Sequence, residues 1–195
     1  MTRLTPLTRD DLADDGRTLW DNMIDTRGRG GLDIVGPDGS LLGPFNAFLH
    51  APDLGRRLLA LGGQVRFKTS LERRLSEIAI CTTGAYWQSE FEFFAHGPMA
   101  IEHGIDPAVI EALRAGETPT FERDDERTVH DVTMQLLENH RVDADTYARA
   151  VELLGEQGMV ELASTVGYYC LISLTLNLFA VGLPDGATPS WPDLP

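Results

Sequence analysis

Residues 71–105 read LERRLSEIAICTTGAYWQSEFEFFAHGPMAIEHGI, and the apolar spacing in this stretch decides the fold. Leu71, Leu75, Ile78, Ala79 and Thr82 recur at helical intervals, so the first half predicts a helix with that face buried. Ser70 is placed to cap it and Gly84 to end it. The second half predicts a helix over Trp87 to His103, stopped by Gly104. On it Ser89, Glu92, His96, Met99 and His103 fall in one narrow arc, with Trp87, Phe91, Phe94 and Ile101 on the other side.

Helical signals continue outward in both directions. Thr8 and Asp11 form an N-cap-like start, followed by Leu12, Leu19, Trp20 and Met23 at helical spacing. Arg27 to Pro44 holds Gly28, Gly30, Gly31, Gly36, Gly39 and Gly43 and reads as a long loop. A short helix is expected from Pro44 to His50 and another from Asp53 to Phe67, opened by Pro52. Further helices are expected over Pro107 to Ala115, Asp124 to His140, Asp143 to Leu154 and Met159 to Val181. Alternation with period two is missing, so almost no strand is expected. The chain divides into an N-terminal helix and glycine-rich arm (1–43), a helical domain (44–184) and an irregular tail (185–195).

The 195 residues carry a net charge of −14, which repels phosphate backbones and anionic lipid heads, so neither nucleic acid nor a membrane surface is an expected partner. Lys68 is the only lysine. The two cysteines, Cys81 and Cys170, lie far apart in apolar surroundings; they form neither a redox dithiol nor a zinc knuckle, and no metal site is expected. With no apolar leader in MTRLTPLTRDDL, a reduced cytoplasmic protein is the natural expectation. Leu162 to Pro184 is free of charge and long enough to span a bilayer. Ser164, Thr165, Ser173, Thr175 and Asn177 interrupt it and no basic cluster flanks it, so the buried centre of a bundle or oligomer is preferred.

Two sets of residues have the composition for chemistry. Glu77 points away from the Leu71/Leu75/Ala79 face yet sits beside Ile78, Ala79, Ile80 and Cys81, where burial raises a carboxyl pKa toward the general-acid range. The plain alternative is an Arg73–Glu77 intrahelical ion pair of small value. Glu92 and His96 are four apart, so the carboxylate can orient and charge the imidazole for proton transfer. There the plain alternative is a polar stripe turned to water.

GPFNAFLHAPDL (43–54), the 71–105 stretch and ELASTVGYYCLISLTLNLFAVGLP (161–184) together resemble the carboxymuconolactone decarboxylase family of the AhpD-like superfamily, over roughly Gly43 to Pro184. The resemblance implies an all-α, AhpD-like helical bundle that associates as a homo-oligomer, a trimer or a hexamer. In that family a glutamate precedes a helix bearing a carboxylate or cysteine and, four residues later, a histidine; Glu77, Glu92 and His96 match. The peroxide-reducing branch carries a CxxC pair four and seven residues before the histidine, where this chain has Glu92 and Ser89. A thiolate is the nucleophile for peroxide reduction, so that activity is not expected.

The implied function is a cofactor-free lyase or proton-transfer enzyme acting on a small organic acid or lactone. His96 would serve as general acid oriented by Glu92, with Glu77 as second proton carrier. Ser89 and Cys81 would line the pocket, and Asn46 and His50 would close it. Arg73, Arg66 or Arg74 would hold a substrate carboxylate. A non-catalytic oligomeric ligand-binding protein ranks second, and a thiol-dependent antioxidant third.

Overall fold

The computed structural model describes residues 2–27, 34–192 and 194. Residues 28–33 of the expected glycine-rich loop lie outside the described residues. Eight α-helices follow a short 3-10 turn at Arg9–Asp11: α1 (Asp14–Arg27), α2 (Phe45–Leu49), α3 (Pro52–Phe67), α4 (Arg73–Tyr86), α5 (Glu90–Glu102), α6 (Pro107–Ala115), α7 (Asp124–Asn139) and α8 (Ala144–Leu178). Among the described residues the only extended pairing is the single bridge between Val35 and Leu41.

Local chemistry explains most boundaries. Pro52 stands in the first turn of α3, where its missing N–H costs nothing. Asp106 caps α6 by accepting from the Ala108 N–H, and Gly116 ends it in the left-handed region at φ 70°. Asp143 caps α8 through the Thr146 N–H at 2.8 Å. Several boundaries differ from expectation: α4, for one, runs past Gly84 to Tyr86. Ser70 does not cap α4, which starts at Arg73 behind Glu72. Instead the Ser70 N–H and hydroxyl both donate to Glu161 Oε2, at 2.8 and 2.6 Å, tying the entry of α4 to α8. The helix expected from Trp87 begins only at Glu90, because Gln88 adopts φ 46° to reverse the chain between α4 and α5. The two helices expected on either side of residues 155–158 run as α8, broken at Gly155 by φ 67°, ψ 173°.

α4 is the central element, packed against α5, α7 and α8. Every residue from Arg74 to Gly84 is buried, so over that span the helix has no solvent face; Tyr86 at its end is exposed. One apolar cluster (Leu75, Ile78, Val129, Val132, Leu162 among others) joins α4 to α6, α7 and α8. A second (Leu19, Trp20, Phe48, Leu59, Ile80, Phe91, Tyr169, Ile172 among others) joins α4 and α5 to α1, α2, α3 and the far half of α8. The apolar stretch in α8 thus sits against α3, α4, α5 and α7. Leu171, Leu174 and Leu178 remain exposed along it.

The burial of α4 from Arg74 to Gly84 forces Glu77 into the interior. The hollow it helps to build opens beside the second cluster. Gly43 makes room at its wall: it sits at φ 62°, and a Cβ there would approach Phe91 Cε1 to 2.5 Å.

Candidate active site

Glu77 is fully buried on α4, and its carboxylate bridges the Arg73 guanidinium and the His96 ring. Oε2 lies 2.7 Å from His96 Nδ1 across the α4–α5 contact. Oε1 lies 2.7 Å from an Arg73 terminal nitrogen, one turn back on the same helix, as an ion pair without hydrogen-bond alignment. Burial is the largest influence on Glu77 and by itself pushes the pKa up; His96, Arg73 and Arg66 together outweigh it and hold the group below its ordinary value. An ionised carboxylate can only accept, so the proton between the two belongs to Nδ1, and His96 Nδ1–H donates to Glu77.

The other ring nitrogen therefore faces outward. His96 Nε2 is 3.3 Å from the Tyr169 hydroxyl and 3.5 Å from Glu92 Oε2. The Tyr169 ring stands edge-on to the imidazole at 5.1 Å and 85°, which restricts its rotation. Both partners are biased toward their protonated forms. Burial pushes the Tyr169 phenol well up, and burial likewise raises Glu92, with His96 and Arg66 only partly offsetting it. Nε2 is thus surrounded by two potential donors, while Nδ1 is committed to Glu77.

A cavity of about 390 Å³ is lined by all three of these residues, His96, Tyr169 and Glu92. Glu92, His96, Tyr169 and Arg66 contribute its polar lining; Ile34, Phe45, Phe67, Phe91, Tyr168 and Ile172 contribute apolar wall. Thr26, Glu102 and His103 also line it. A hollow of this size, mostly apolar with a few convergent polar groups, suits a small organic molecule.

Several expected roles need correction. Glu92 is not the residue that orients His96: packing of α5 on α4 brings Glu77 closer than the helical i, i+4 neighbour. Glu77 in turn is not a free proton carrier but an ionised anchor. Ser89 and Cys81 are fully buried and stand outside the cavity lining. Burial, then Glu77 and Glu92, raise the Cys81 thiol well above its ordinary pKa, leaving it protonated. Asn46 and His50 do not close the pocket; they hold the N-terminal segment. Asn46 accepts from the Leu7 N–H at 2.9 Å and donates to Thr5 O, and His50 Nε2 meets the same carbonyl at 2.9 Å. Arg73 lines the cavity but is committed to Glu77. Arg74 is bound to Glu72, Asp125 and Glu126, outside the lining. Phe91, expected on the opposite side of α5 from His96, shares the cavity wall with it. Sequence reasoning missed Tyr169. Its signal was a hydroxyl in an uncharged buried helix, which needs a polar partner.

The pKa of Glu92 carries a testable consequence. A carboxyl whose folded pKa is raised above 4.5 binds protons more tightly when folded, so its favourable contribution is present in acid and lost as pH rises toward the folded pKa. Glu92→Gln keeps the shape and removes the ionisation. Urea denaturation of both proteins should give similar stability near about pH 4 and a variant increasingly more stable than wild type toward about pH 8. Parallel pH profiles for the two proteins would refute the raised pKa.

No family model matches the chain, and no curated protein matches it. Solved structures do. The chain is similar to an alkylhydroperoxidase AhpD core, an uncharacterized peroxidase-related protein from Ralstonia eutropha JMP134, with a TM-score of 0.74 and 16% identity over 94% of this chain and 93% of that one. It is similar to an uncharacterized peroxidase-related protein from Silicibacter sp. TM1040, with a TM-score of 0.70 and 12% identity over 95% and 92%. A third is a cysteine-to-alanine variant of the debrominase Bmp8 in complex with 2,3,4-tribromopyrrole, with a TM-score of 0.71 and 13% identity over 95% and 93%. The fold is the all-α AhpD-like bundle that the sequence resemblance implied.

Proposed function

We propose that this chain is a cofactor-free enzyme that moves protons at carbon in a small organic acid or lactone, with decarboxylation as the reaction its sequence resemblance favours. One observation carries the reading: His96 Nδ1 is anchored on a buried, ionised Glu77, and the same imidazole lines a mostly apolar cavity beside Tyr169 and Glu92. That is the arrangement of a general acid–base imidazole held in one tautomer by a carboxylate.

The electron balance needs nothing beyond the substrate. The bond from carbon to the departing carboxylate breaks, carbon dioxide leaves, and the electron pair moves onto an adjacent carbonyl oxygen as an enolate. The Tyr169 hydroxyl, or Glu92 when it carries a proton, both beside Nε2, donates a hydrogen bond to that oxygen. The imidazolium form of His96 then delivers its Nε2 proton to carbon and ends neutral; a solvent proton restores it. Glu77 stabilises the imidazolium throughout. The same machinery run as base, then acid, gives isomerisation.

A thiol mechanism fits less well. Cys81 is buried and protonated, and Cys170 is half-buried, raised by burial and in contact with the Trp87 indole N–H at 3.4 Å. The debrominase neighbour holds a small planar ring, in keeping with a small planar substrate here. A panel of small carboxylic acids and lactones incubated with the protein in deuterium oxide tests the proposal. Deuterium is expected at one carbon of at least one compound, read by mass spectrometry. Absence of labelling and of turnover across the panel would leave a ligand-binding protein without catalysis.

A further inference from the structure

We infer that Arg66 forms an anion subsite at the cavity, and that the substrate is a small, flat, apolar-bodied acid whose retained carboxylate is held there. The inference rests on the proposed chemistry only for which end of the molecule reacts; the binding part stands apart from turnover.

Among the described residues, Arg66 has no carboxylate partner. Every other half-buried or buried arginine among the described residues has one: Arg17 with Asp14, Arg56 with Asp53, Arg73 with Glu77, Arg74 with Asp125 and Glu126, Arg114 with Glu111. Arg66 lines the cavity, and its Nε is buried with no hydrogen-bond partner. One terminal N–H reaches only the Met99 thioether, at 3.4 Å, a weak acceptor. The guanidinium carbon rests 4.9 Å over the Phe67 ring, and the Arg73 guanidinium carbon lies 5.3 Å from the same ring. The head group is therefore positioned by soft contacts while its strong donors stay unspent. A buried donor without an acceptor is costly, and a carboxylate is the shape that a guanidinium fork satisfies best.

The charges around the cavity point the same way. Glu77 is ionised but shared between Arg73 and His96. Glu92 is biased to its neutral form by burial. Among the buried and half-buried charges on the lining, Arg66 is the one without a carboxylate ion pair, in a chain whose net charge of −14 otherwise repels anions; the Glu102 carboxylate on the same lining is exposed to solvent. The apolar walls formed by Phe45, Phe67, Phe91 and Ile172 select a flat hydrophobic body. The anchored carboxylate must be one the reaction keeps. A guanidinium clamped on a departing carboxylate would stabilise the ground state, in which the charge is localised, over the transition state, in which it spreads.

Isothermal titration calorimetry with benzoate, phenylacetate and cinnamate tests this, using benzamide and methyl benzoate as neutral controls. Wild type is expected to bind at least one of the acids about tenfold or more tightly than the neutral compounds. Arg66→Gln should lose that preference while still binding the neutral compounds, and Arg66→Lys should recover part of it. His96→Gln should keep the preference. Thermal unfolding of each variant reports on folding independently. Equal affinity of wild type for acid and ester, no saturable binding of any acid, or an unchanged preference in a folded Arg66→Gln would overturn the subsite. Loss of the preference in Arg66→Gln together with full deuterium exchange by His96→Gln would leave the subsite standing and remove the catalytic reading instead.

Discussion

His96→Gln is expected to lower deuterium incorporation into any identified substrate by about two to four orders of magnitude, the range a positioned general acid–base contributes. Glutamine keeps a polar group of similar reach at the cavity but cannot relay a proton. His96 is 4% exposed, so some loss of stability will accompany the change, and turnover must be compared between folded preparations at equal active concentration. The informative split is between kcat and KM: a residue that acts on the proton lowers kcat, whereas one that merely shapes the cavity raises KM. A variant with wild-type exchange would remove His96 from the chemistry.

Glu77→Gln should have the largest effect on the fold itself. The substitution leaves the Arg73 guanidinium and the His96 ring facing a neutral amide in the interior. Removing one partner of a buried ion pair costs about 3–5 kcal/mol. The pH dependence has a definite sign. Because the folded pKa of Glu77 lies below its ordinary value, its contribution is present above the unfolded pKa and disappears as pH falls through the folded one. The stability gap between wild type and variant, measured by urea denaturation, should be widest near about pH 7 and close toward about pH 3. This is opposite in direction to the Glu92→Gln comparison. A gap independent of pH would mean that Glu77 stabilises by shape alone. Activity should fall as well, since the amide no longer enforces the Nδ1–H tautomer.

The helices were legible because amphipathic spacing survives in any context. Leu71, Leu75 and Ile78 sit in the core as their intervals require. The site was legible only in outline. His96 and Glu77 are 19 residues apart, and no local rule pairs them; the sequence resemblance did. Local reasoning favoured Glu92 as partner of His96, since i, i+4 neighbours meet on an isolated helix. Packing overrode it, because α4 is buried from Arg74 to Gly84 and its one glutamate lies inside that span, within reach of Arg73 and His96. Cys81 and Ser89 looked like pocket residues from their place beside Glu77 and Glu92, but both are fully buried and stand outside the cavity lining. Asn46 and His50 precede the motif closely in sequence, yet they satisfy backbone groups of residues 5–7, which no periodicity could reveal. Tyr169 and Arg66 reach the cavity from α8 and α3, so their relevance depends on tertiary contacts between distant segments.

The proton chemistry proposed for the site depends on which nitrogen of one imidazole carries the fixed proton. Nitrogen-15 NMR of the histidine-labelled protein, with the His96 signals identified by their loss in His96→Gln, measures this directly. The expected result is a slowly exchanging proton on Nδ1, shifted strongly downfield by its bond to Glu77, present at every pH at which the protein is folded. A neutral ring protonated on Nε2 with a bare Nδ1, or an Nδ1 proton exchanging freely with solvent, would contradict the account.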